Sequence, residues 1–226
     1  MTNAGARDAT DSAAGTPLRR ELSTPTGPAW ADIHLPTGRA CAVLAIGHGA
    51  GGSVSAPDIV AVSRACLARD VAVVAVTQPY RVAGRRTPPA AARLDEAWLS
   101  VLEQVLEDVS LRTRRRAPLP LIAAGRSSGA RVACRTAGRA GARAVLALAF
   151  PLHPPGRPDR SRQPELDAAG VPVLVVQGSR DPFGMPQADP RLGRQVLVAE
   201  GADHGLKRGM GPAADACAEF VRAVCR

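Results

Sequence analysis

From residue 41 onward the chain repeats one hydrophobic rhythm. Short unbroken apolar runs end in glycine or polar residues, and most lead into longer stretches with apolar residues three and four apart. The runs are 41–46, 71–76, 118–124, 145–150, 173–177 and 196–198. Continuous apolar runs of this length predict strands buried on both faces. The stretches 57–69, 94–109, 127–138 and 213–224 predict helices. In the second of these, Leu94, Trp98, Val101, Leu102, Val105, Leu106 and Val109 fall on one face. Ahead of the rhythm, residues 20–24 and 29–35 flank Pro25-Thr26-Gly27-Pro28, a hairpin-like opening. Strands alternating with helices predict an α/β fold, a mostly parallel sheet of about seven or eight strands with helices on both faces. Residues 1–18 hold little to bury and are expected to be a disordered N-terminal tail, leaving 19–226 as one domain. Two long Pro- and Arg-rich loops, 78–92 and 151–164, leave strands at the carboxyl edge, where such sheets bind ligands.

Composition changes this picture little. Aromatics are 3% of the chain, so the core must be mainly Val, Leu, Ile and Ala. The net charge of +9 invites a nucleic-acid reading. The basic residues are 28 Arg and Lys207, scattered except for Arg114-Arg115-Arg116, and there is little aromatic surface for bases to stack on. No specific nucleic-acid partner is expected. Five cysteines without a Cys-x-x-Cys pair argue against a disulfide framework and for a reducing compartment. Residues 1–20 lack the apolar core of a signal peptide, and no run approaches the roughly 20 residues of a membrane span. The expectation is a cytoplasmic protein that does not bind membranes.

Three motifs carry chemistry. Gly125-Arg126-Ser127-Ser128-Gly129 lies between a predicted strand and a predicted helix, the context a nucleophile elbow requires. Small flanking residues let strand and helix approach, and Ser127 is presented at the helix N-terminus. Ser128 is the rival nucleophile, disfavoured by the glycine spacing. Gly47-His48-Gly49-Ala50-Gly51-Gly52 follows the first long strand. Such a loop can lend a backbone N–H to an oxyanion hole, so Ala50 and Ser128 are the candidate donors. A phosphate cradle is disfavoured, because no Gly-Lys-Ser/Thr follows. Asp181, after the run 173–177, and His204, after 196–198, complete the chain order Ser, Asp, His. Asp181 is expected to orient His204, the base, with Asp203 the weaker rival. His48, Gly49, Arg126 and His153 are read as substrate-binding residues, with His48 also suited to holding its own loop. Arg81, Arg85 and Arg86 read better as a solvated cluster than as an acid-binding site. No cluster has metal-ligand spacing, so neither metal nor cofactor is expected.

On these motifs, with Pro151-Leu152-His153, Gln177-Gly178-Ser179-Arg180-Asp181-Pro182-Phe183-Gly184 and Gly201-Ala202-Asp203-His204, the chain from about residue 20 resembles the α/β-hydrolase superfamily. Within it, the chain is similar to a compact group holding the dienelactone-hydrolase-like and testis-expressed hydrolase-like proteins, together with a subunit of a histone-acetyltransferase complex. The resemblance implies a Ser-His-Asp triad and no large cap domain. Dienelactone hydrolases themselves use cysteine where this chain has Ser127. The expected activity is a serine esterase or thioesterase cleaving a small-molecule acyl substrate through an acyl-enzyme. An acyltransferase with the same triad and a non-enzymatic interaction module are the alternatives.

Overall fold

The structure is a computed structural model that describes residues 17–114 and 117–225, so most of the expected tail (1–16) lies outside the described residues. The chain runs β1 (Leu18–Thr24), β2 (Gly27–His34), β3 (Ala42–Gly47), α1 (Pro57–Leu67), β4 (Val71–Thr77), α2 (Pro79–Val82) and α3 (Ala91–Thr113). It continues through β5 (Leu121–Arg126), α4 (Ser128–Thr136), β6 (Ala144–Leu148), α5 (Gln163–Asp167), β7 (Val173–Gly178), β8 (Arg194–Ala199) and α6 (Met210–Val224). The strands form one sheet in the order β1-β2-β4-β3-β5-β6-β7-β8. β1 and β2 pair antiparallel, as the hairpin-like opening predicts; β2 is also antiparallel to β4, and the pairs from β4 through β8 are parallel. No large cap interrupts the alternation of strands and helices.

The two faces are separated by the period-two pattern inside each buried strand. Val43 and Ala45 of β3, with Ala72, Val74 and Val76 of β4, pack with α3 and α4 on one face. Ala42, Leu44 and Ile46, with Val71, Val73 and Ala75, pack with α1 and α6 on the other. Cys66, Cys134 and Cys217 are buried in these layers, and all five cysteines are free thiols. Burial pushes the thiols of Cys66 and Cys134 up to about 12, which makes them inert packing groups.

Several boundaries differ from the sequence expectation, each for a local reason. The fifth strand starts at Leu121 rather than 118, because Pro118 and Pro120 have no N–H to give a ladder; Pro120 still accepts from Val43. The sixth ends at Leu148, since Ala149 turns to φ +47°. Two short helices lie where only loops were expected. In α2, Pro79 presets φ for the first turn, and the amides of Val82 and Ala83 return to Gln78 and Pro79. In α5, Glu165 reaches back to α4.

That last contact ties three helices together. Arg131 donates two hydrogen bonds to Glu165, at 2.7 and 2.6 Å, and Arg135 bridges Glu165 (2.8 Å) and Asp95 of α3 (2.9 and 2.6 Å). Burial alone raises the Glu165 pKa, but the two guanidiniums together outweigh it and hold the carboxyl below its usual range. A carboxyl whose folded pKa lies below its unfolded value contributes stability above the ordinary value of 4.5 and loses it as pH falls further. Glu165→Gln is therefore expected to cost about 2 kcal/mol at pH 7 and clearly less at pH 3. Urea titrations of both proteins at the two pH values measure this, and an equal loss at both excludes a charge-based contribution.

Candidate active site

The sheet order reverses beside β3: the chain passes first to β4 on one side and then to β5 on the other. The carboxyl ends of β3 and β5 therefore open a crevice, the usual ligand site of open α/β sheets. The Gly-rich loop leaves β3 there, and Ser127 sits between β5 and α4.

Ser127 has φ +53° and ψ −111°, a strained conformation for a residue with a side chain. It is held by its own amide, which donates to the Leu148 carbonyl at 2.8 Å, and by the close approach of its flanking glycines. A Cβ on Gly129 would come within 2.7 Å of the Gly47 carbonyl oxygen and 2.8 Å of that of His48. The first turn of α4 is thus pressed against the end of β3.

Ser127, His204 and Asp181, from three different strand ends, meet in one line. The Asp181 side chain is 0% exposed, and its Oδ2 accepts from His204 Nδ1–H at 2.8 Å. A carboxylate only accepts here, so Nδ1 carries the imidazole proton and Nε2 is left to accept from Ser127 Oγ–H at 2.9 Å. Asp181 is itself fixed by two further donors: the Phe183 amide at 2.9 Å to Oδ1 and Gln177 Nε2 at 2.9 Å to Oδ2. Gln177 is buried and also donates to the carbonyls of Gly184 (2.8 Å) and Phe150 (3.2 Å). Gly178 lets the turn carrying His204 approach β7, since a Cβ there would meet the Ala202 and Asp203 carbonyls at 2.5 and 2.7 Å. Asp203, the rival acid, is exposed and accepts from the Gly205 amide at 2.8 Å.

The Gly-rich loop abuts the serine: a Cβ on Gly49 would lie 3.4 Å from that of Ser127. The stretch that follows β4 holds this loop. Tyr80 Oη–H donates to the Ala50 carbonyl at 2.7 Å, and Arg81 Nε to the Gly52 carbonyl at 3.1 Å. Among the described residues the amides of Ala50 and Ser128 donate to no protein acceptor.

The four expected substrate contacts divide. His48 takes the loop-holding place that its motif also allows. It is 3% exposed, its Nδ1–H donates to the Gly49 carbonyl at 2.8 Å, and its Nε2 accepts from the Gln78 amide at 3.0 Å. Burial first, and the Arg81 charge as well, press its pKa down despite the Gly49 contact, so the ring is a neutral loop holder. Arg126 is largely spent inside the protein. Its Nη2 donates to the His204 carbonyl at 2.8 Å, and its Nε lies 3.4 Å from the buried Asp58 of α1. Burial pushes the Asp58 carboxyl up, and Arg126 opposes that shift. Gly49 lies against both Arg126 and Ser127: a Cβ there would come 2.9 Å from Arg126 Nη1 and 3.4 Å from the Ser127 Cβ. His153 stands at the carboxyl edge after β6, half-buried against Gly184, with its amide donating to the Phe183 carbonyl at 3.0 Å. Tyr80, Gln177 and Phe183 carry no role in the sequence reading: Gln177 and Phe183 lie in the motif that holds Asp181, but only their hydrogen bonds to it show what they do, and Tyr80 meets Ala50 across 30 residues.

A serine on a strand–turn–helix elbow, with His and Asp from later strand ends of this sheet order, is the arrangement of the α/β hydrolases. The sequence matches the α/β-hydrolase domain family over residues 40–220, and the chain belongs to that family. No curated protein matches the sequence. Among solved structures, the fold is similar to a lidless α/β serine hydrolase from Xanthomonas campestris, at 21% identity and a TM-score of 0.68, covering 92% of this chain and 94% of that one. It is also similar to a dienelactone hydrolase from Anabaena variabilis, at 16% identity and TM-score 0.69, over 92% and 99%. A thermophilic carboxylesterase from a metagenomic library is similar at 15% identity and TM-score 0.67, over 94% and 90%. No helix among the described residues is long and apolar enough to cross a membrane.

Proposed function

We propose that the chain is a serine esterase that cleaves a small carboxylic ester or thioester through an acyl-enzyme. The observation that carries this reading is the hydrogen-bonded line from Ser127 Oγ through His204 to the fully buried Asp181. Ser127 Oγ attacks the acyl carbonyl while its proton passes to His204 Nε2. The amides of Ala50 and Ser128 receive the oxyanion, an interaction worth roughly 3 kcal/mol per donor. The imidazolium, held by the Asp181 carboxylate, gives its proton to the departing alkoxide or thiolate. A water then takes the place of that group, gives a proton to His204 as its oxygen attacks the acyl carbon, and the acyl–Oγ bond breaks as His204 returns that proton to Ser127 Oγ, releasing the acid. The open carboxyl edge suits a small substrate that enters without a lid, and the five free thiols suit a reducing, cytoplasmic setting.

A fluorophosphonate probe followed by peptide mapping tests the reading. Labelling at Ser127 is expected in the wild type and is expected to vanish in Ser127→Ala. A folded wild type that takes no label overturns the esterase in favour of a binding module. Label on Ser128 places the elbow one residue out of register.

A further inference from the structure

The Phe183 ring lies on the face of the His204 imidazole, with centroids 4.1 Å apart and planes at 32°. The backbone of Phe183 is pinned on both sides. Its amide donates to Asp181 Oδ1 at 2.9 Å, and its carbonyl accepts from His153 N–H at 3.0 Å. It is the third residue of a turn closed by Gly184 N–H donating to the Asp181 carbonyl at 3.2 Å, with Pro182 presetting φ at the second position. One carboxylate therefore sets both contacts of the imidazole. Oδ2 of Asp181 holds its edge, and Oδ1 fixes the residue that covers its face. A ring held this way does more than fill space, because the face of an aromatic carries negative potential and attracts a cation within about 6 Å. His204 becomes cationic once it has taken the Ser127 proton, so the attraction is strongest when the charge has formed.

We propose that Phe183 is a positioning residue that favours the imidazolium form of His204 and holds that ring in line with Ser127. The inference rests on the reading of Ser127 and His204 as nucleophile and base. It is tested with three replacements of the ring. Phe183→Leu keeps apolar cover and removes the π face. Phe183→Tyr keeps the face. Pentafluorophenylalanine at position 183 keeps the shape and inverts the ring's electrostatics. The readouts are the rate constant for fluorophosphonate labelling of Ser127 and the split of kcat and KM on a generic aryl ester.

The expected order of rates is Tyr close to wild type, Leu about threefold lower and the pentafluoro ring lower still, with KM unchanged. Equal rates for the pentafluoro ring and phenylalanine overturn the proposal, because shape then suffices. A rate that follows only the melting temperature of each variant also overturns it, as packing alone explains that. Labelling of the wild type without dependence on the ring removes this inference and keeps the esterase; no labelling of the wild type removes both.

Discussion

Asp181→Asn is expected to lower kcat by about three to four orders of magnitude while the protein stays folded and KM changes little. The reason lies in the donors around the carboxylate. Oδ2 accepts from His204 and Gln177, and Oδ1 accepts from the Phe183 amide. An asparagine offers one acceptor oxygen and one NH2 to these positions. With the NH2 toward His204, it faces the Gln177 donor and drives the imidazole to the other tautomer, so that Nε2–H points at Ser127 and no base remains. With the NH2 toward Phe183, the tautomer survives, but two donors oppose each other and no negative charge balances the imidazolium. Both arrangements lose the base or its counter-charge in a site where water is excluded from the carboxylate. Steady-state kinetics on a generic ester, with labelling rates at Ser127, measure the loss. A fall of less than tenfold removes Asp181 from the role assigned to it.

The three residues that meet at this site are legible in the sequence. A buried strand announces itself by an unbroken apolar run, and a nucleophile elbow by glycines at fixed offsets from a serine. Chain order then selected Asp181 and His204. The residues that hold those groups were hidden, because their roles come from contacts between distant parts of the chain. His48 meets the Gln78 amide across 30 residues, and Arg126 meets the His204 carbonyl across 78. A histidine in a Gly-rich loop and an arginine inside the elbow motif looked like substrate contacts because both motifs lie at the site. Burial and hydrogen-bond partners put His48 in the loop-holding place that its motif also allows, and show Arg126 engaged with the His204 carbonyl and Asp58. Gln177 stands four residues before Asp181 in the motif but reads as the last residue of a strand, and the motif alone does not mark the inward turn of its amide toward the carboxylate. The short helices α2 and α5 escaped for another reason: four or five residues are too few for a 3.6-residue period to register.

Gly125→Ala is expected to destabilise the fold by about 3 kcal/mol or more and to abolish labelling of Ser127. A Cβ at this position overlaps the carbonyl carbon and oxygen of Gly129 and lies 2.7 Å from the Ala130 amide nitrogen. These are backbone atoms of α4, so no side-chain rotation relieves the clash. Nor can α4 retreat freely, because its first turn already presses Gly129 against the carbonyls of Gly47 and His48. The methyl group is accommodated only if α4 shifts as a unit, and that shift moves Ser127 and the Ser128 amide with it. The 2.9 Å bond from Ser127 to His204 has no slack for such a movement. For a domain of this length the melting temperature is expected to fall by roughly 6–12 °C. Gly138→Ala is the control, since a Cβ there meets nothing within 4 Å, and it should leave both stability and labelling near wild type. A Gly125→Ala protein that melts with the wild type and still labels at Ser127 would show that strand and helix do not approach as closely as this elbow requires.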